Sequence, residues 1–116
     1  MWTGRVLLTG IILLVAGCAA AMSPEGRLRN EIFLDVYWTS VRGCEETARN
    51  LHVEDLGPDG DVTMSGDAGN SYGLSEFIQC YHQGIRQRVE HRRRAGLPVP
   101  EKLNLDPEVR FKPDMS

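Results

Sequence analysis

Two cysteines stand inside amphipathic helices at matched distances from the segment that joins those helices, and this limits the chain to few folds. Ser23, Pro24 and Glu25 read as a helix start: a hydroxyl cap, a proline at the first helical position and an acid at the positive end of the dipole. From there the periodicity predicts a helix to about Asn50. At 100° per residue, Phe33, Tyr37, Val41, Cys44, Ala48 and Leu51 share one stripe. A second helix is expected from near Ser75, with Phe77, Cys80, Tyr81, Gly84, Ile85 and Val89 on its apolar side, until Gly96, Leu97 and Pro98 stop it. Gly84 weakens that helix and permits a close approach. Cys44 and Cys80 then lie roughly 9 and 8 Å from the connecting end, so an antiparallel pair brings them together.

Between the helices, Leu51–Leu56 and Asp61–Ser65 read as a β-hairpin turning through Gly57, Pro58, Asp59 and Gly60. The hairpin is expected at the far tip of the helix pair. Beyond Leu97 the proline-rich sequence has no clear period and suggests an extended tail. The fold class is therefore α+β, mainly α: a disulfide-linked antiparallel helix pair over residues 24–96, a small hairpin between the helices, and a tail over 97–116.

Residues 1–17 have the parts of an export signal: Arg5, the apolar run Val6–Ala16, and small residues at its end. That run is shorter than the about 20 apolar residues that span a bilayer. It ends in Val15, Ala16, Gly17 and Cys18, which resembles the lipobox of bacterial lipoproteins. The resemblance covers about the first 20 residues and implies cleavage before Cys18, acylation of its thiol and a membrane anchor. Residues 18–23 become a lipidated linker. With Ala19 after the cysteine, the resemblance implies the periplasmic side of the outer membrane in a Gram-negative host. An exported chain meets an oxidising compartment, where Cys44 and Cys80 should pair, and closing that loop contributes about 4 kcal/mol in the chain-entropy model.

The chain after the leader holds 12 basic against 16 acidic side chains, a net of −4, which argues against a nucleic-acid partner. The charges are segregated. Residues 45–76 carry eight acids against Arg49, and residues 77–95 carry five arginines against Glu90. In an antiparallel pair the cluster Arg92, Arg93 and Arg94 returns toward lipidated Cys18, where it is expected to face the membrane surface. Asp59, Asp61 and Asp67 would form an acidic distal tip suited to a protein partner. A second apolar stripe of Leu28, Ile32 and Val36, roughly 130° from the first, needs a cover: the tail through Leu97, Val99, Leu103, Leu105 or Phe111, or else a partner or second copy.

Chemistry finds little footing. The stretch Asp55–Gly66 partly resembles a calcium-binding EF-hand loop, but Gly57 and Gly66 stand where ligands are needed and Pro58 intrudes. Cys80 and His82 lack zinc-site spacing, and His52 and His91 add no motif. Glu45 and Glu46, adjacent on a helix, point to different sides and cannot form an acid/base dyad by themselves. The sequence therefore predicts a non-catalytic lipoprotein without cofactor, acting as an accessory or structural protein beside an envelope partner. The alternative is a binder or inhibitor of a cationic periplasmic protein.

Overall fold

Ser23 caps the first helix as its sequence requires, its Oγ accepting from the Gly26 amide at 3.0 Å. In this computed structural model, residues 23–48, 50–67 and 71–113 are described. The first helical rod is built in four consecutive pieces: α1 (Pro24–Ile32), a π-helical segment (Phe33–Trp38), α2 (Thr39–Cys44) and a 3₁₀ turn (Glu45–Thr47). It ends earlier than the periodicity suggests. The π segment also changes which residues share a face. Its i→i+5 pattern admits one extra residue, rotating the residues after it by about 100° against those before it. The two stripes read from a uniform 3.6-residue period thereby merge, and Ile32, Val36, Tyr37, Val41 and Cys44 are all buried in one core.

The second helix, α3 (Ser71–Arg94), starts four residues before the expected Ser75 and buries Phe77, Tyr81, Ile85 and Val89. Its end is set by Gly96 at φ 72°. The amides of Gly96 and Leu97 donate to the carbonyls of Arg93 and Arg92 at 3.1 and 2.9 Å, the reciprocal pattern of a Schellman cap. The helices are antiparallel: Cys44 is disulfide-bonded to Cys80 with Cα atoms 5.8 Å apart. One turn along, Gly84 lets Ser40 approach so closely that an added Cβ would sit 3.2 Å from its Oγ.

Strands β1 (Leu51–Leu56) and β2 (Val62–Gly66) form the expected hairpin, and the tail contributes a third strand that was not expected, β3 (Val109–Pro113). The order is β1-β2-β3, with β2 and β3 parallel. Parallel neighbours need a crossover, and α3 with the extended segment after it supplies one. Val62 and Met64 of β2 alternate inward. On β1 the apolar positions Leu51, Val53 and Leu56 break the two-residue period. A register shift between Val53 and Asp55 absorbs the odd residue, so Val53 faces Met64 and Leu56 faces Val62.

The hairpin does not crown the tip of the helix pair; it folds back along its side. At its turn, Gly60 has φ 91°, and an added Cβ would lie 2.6 Å from the Tyr37 ring and 2.9 Å from Pro107. A two-stranded hairpin is marginal alone, so this one gains from the third strand and from laying its apolar face on the helices. Glycine meets both the turn conformation and the contact.

Candidate functional site

The tail is fastened by polar contacts spread along its length. Tyr37 Oη donates to the Asn104 carbonyl at 2.9 Å, while Tyr81 Oη holds the hairpin turn rather than the tail, donating to the Gly60 carbonyl at 2.5 Å. His82 Nε2 donates to the Pro107 carbonyl at 2.8 Å, Arg86 pairs with Asp106 at 2.7 Å, and the Glu108 amide donates to Asp61 Oδ1 at 2.9 Å. Burial, then the charge of Asp59, raise the Tyr37 pKa to about 12. Burial likewise raises that of Tyr81. Both hydroxyls are therefore neutral donors at physiological pH and serve to position the chain.

The basic cluster expected at the membrane surface is differently disposed. Arg92 is buried, 3% exposed. Its guanidinium donates to Asp35 Oδ2 at 2.7 Å, to Glu31 Oε2 at 3.3 Å and to the Pro98 carbonyl at 3.0 Å. Arg88 also pairs with Asp35. Burial opposes ionisation of Asp35, but the hydrogen bonds from Arg92 and Arg88, with their charges, outweigh it and hold its pKa below the ordinary 3.8. Arg94 pairs with Glu90 at 3.3 Å on its own helix. Of the three arginines, Arg92 cannot meet a membrane, because its guanidinium is buried against Asp35 and the Pro98 carbonyl; Arg93 and Arg94 are exposed.

The acids expected together at the tip are likewise divided. Asp59 and Asp61 flank the hairpin turn beside Tyr37, whereas Asp67 lies past the other end of β2, about 20 Å away at about 3.3 Å per residue. The second apolar stripe is not a partner surface either. Ile32 and Val36 are buried in the core, and half-buried Leu28 packs against that core, as do the tail residues Val99, Leu103 and Leu105. The extra π residue turned this stripe inward. A shallow cleft of about 410 Å³ remains between Leu28, Ile32 and Tyr37 on one side and Pro58, Pro100 and Leu103 on the other, rimmed by Glu25, Arg29, Asp59 and Lys102.

What does face solvent on the first helix is apolar where the sequence pattern marked no site. Leu34 and Trp38 are 51% and 47% exposed, and the Arg42 guanidinium carbon lies 5.7 Å from the centroid of the Trp38 ring. The run Ile32–Trp38 carries more apolar side chains than one face can bury, which is the signal in the sequence. Which of them are left outside depends on the π turn.

Cys18 lies outside the described residues. Among the described residues, no three His, Cys, Asp or Glu side chains gather as a metal-ligand set, and no helix is long and apolar enough to cross a membrane. The stretch Asp55–Gly66 is occupied by the hairpin, with Asp55 paired across the strands to Thr63. Comparison with protein-family models, curated proteins and solved structures finds no match to this chain.

Proposed function

We propose that the chain is a lipid-anchored lipoprotein of the bacterial cell envelope whose folded domain acts by binding, as an accessory or structural protein, rather than by catalysis. One observation carries the reading. The chain has three cysteines; Cys44 and Cys80 are joined to each other, and the third, Cys18, stands at the end of the lipobox-like run. A disulfide suits an oxidising compartment, and the cysteine outside it is the one that acylation would consume. Two or three acyl chains, at about 0.8 kcal/mol per buried methylene, hold a protein to a bilayer essentially permanently. The test is to express the whole chain in a bacterium and measure the mass of its processed N-terminal peptide. Acylated Cys18 at the new N-terminus is expected, with Cys18→Ser released from the membrane fraction. An unmodified thiol there would end this reading. Cross-linking in the envelope then identifies the partner.

Binding to a cationic envelope protein is the second reading. Asp59 and Asp61 favour it, both exposed beside Tyr37, whose pKa their charges help to raise. Neutralising both residues should abolish such binding while leaving membrane attachment intact.

A further inference from the structure

We propose that the exposed face formed by Leu34, Trp38 and Arg42 lies in the headgroup layer of the phospholipid membrane to which Cys18 is anchored, so that the helix pair rests on its side. The inference depends on the lipid-anchored reading above.

The packing leaves this face unoccupied. Ile32, Val36, Tyr37, Ser40 and Val41 turn inward. Leu34 and Trp38, one turn apart, point away from that core and are each about half exposed (51% and 47%). The chemistry of the three residues fits a lipid boundary. An indole ring combines an apolar body with one N–H donor and settles between headgroups and acyl chains. Arg42 extends over that ring, its stem on apolar surface, and its exposed guanidinium, 3.5 Å from Glu45 on the same helix, can exchange that loose pair for a lipid phosphate.

The rival orientation, standing on the basic end, is weakened by the ion pairs. Arg92 is buried against Asp35 and Glu31, and Asp35 engages half-buried Arg88 as well, so that end offers a headgroup the exposed Arg93 and Arg94 but not its inner arginines. A second copy of the chain is a poor occupant, because two half-exposed apolar side chains fall far short of the roughly 1,200 Å² that a stable interface buries. A membrane already tethered to the chain has no such threshold. A short tether gives an effective concentration in the millimolar range, so a weak contact suffices. The five residues Cys18–Met22 span at most about 18 Å, and an upright helix would hold Trp38 about 22 Å along its axis from Ser23. Lying down brings the ring to the lipid.

The sequence contains two tryptophans, Trp2 and Trp38, and cleavage before Cys18 leaves Trp38 as the only one. The whole chain, processed and acylated in a bacterium, is reconstituted into phosphatidylcholine and phosphatidylglycerol vesicles, with and without bromine on the acyl chains near the headgroup. Trp38 emission should move to shorter wavelength and be roughly halved by the brominated lipid, as expected for an indole at the interface. Leu34→Asp, which leaves the buried face untouched, should restore solvent-like emission with the disulfide and helical circular dichroism retained. An acylated, vesicle-bound chain whose Trp38 emits as in water and is not quenched overturns the orientation and leaves the anchor standing. Quenching unaffected by Leu34→Asp overturns it as well. A processed chain without acyl groups overturns the anchor and the orientation together.

Discussion

Arg92, near the end of the second helix, places its Nη1 2.7 Å from Asp35 Oδ2 in the π segment of the first, with 4% of the arginine side chain exposed. This pair joins the two helices at the end opposite the disulfide. A charge buried to that degree depends on its partner, because removing one member leaves the other desolvated.

Asp35→Ala should accordingly destabilise the protein by about 3 kcal/mol, the lower end for a broken buried pair, since Asp35 keeps 24% of its side chain exposed. Asp35→Leu combined with Arg92→Met should recover most of the loss. Urea denaturation of the two variants beside the parent protein measures both effects, and a double variant as unstable as Asp35→Ala would contradict the account.

The same carboxylate predicts an acid limb. Its pKa is below the ordinary 3.8 in the folded protein. The unfolded state therefore binds its proton first as pH falls, so the stability it contributes is complete above about pH 4 to 5 and declines as pH drops through the folded value. Asp35→Asn should flatten that part of the stability profile, measured by denaturant midpoints across the acid range.

Tyr37 predicts the opposite limb. Its folded pKa of about 12 exceeds the ordinary 10. Its contribution is complete below about pH 10 and fades as pH rises through about 12, because the unfolded chain ionises first. Ultraviolet titration of phenolate should show Tyr37 and Tyr81 ionising only as the fold opens. Tyr37→Phe should flatten this alkaline limb, costing stability below about pH 10 and little by about pH 12, as denaturant midpoints across that range would show.

Cys44→Ser with Cys80→Ser should cost about 4 kcal/mol, the chain-entropy value for a loop of this size. The sequence separation is 36 residues. Guanidinium unfolding of the oxidised protein, with and without reductant, should reproduce the loss, whereas the double variant should be indifferent to reductant.

Much of the fold was legible because local chemistry agreed with it. The Ser23–Pro24–Glu25 start, the Gly96 stop, the hairpin between Leu51 and Gly66, and the meeting of Cys44 with Cys80 are all dictated by caps, turns and periodicity. The candidate sites were less legible. Arg92 looks like any other basic residue at a helix end until Asp35 is placed opposite it, and Asp59 and Asp67 look like neighbours until β2 separates them.

By itself, then, the sequence determined two antiparallel amphipathic helices, their covalent staple and the hairpin, since each depends on residues close together in the chain or on a shared period. Only the tertiary structure decided the π turn at Phe33–Trp38 and, through it, which apolar residues enter the core and which are left to solvent. A single inserted residue changes helical phase without changing composition, and its benefit comes from packing against distant partners. The third strand has the same origin, because Val109–Pro113 becomes a strand only when β2 offers it an edge. For Leu34 and Trp38 this means that their exposure was settled by how the rest of the helix was buried.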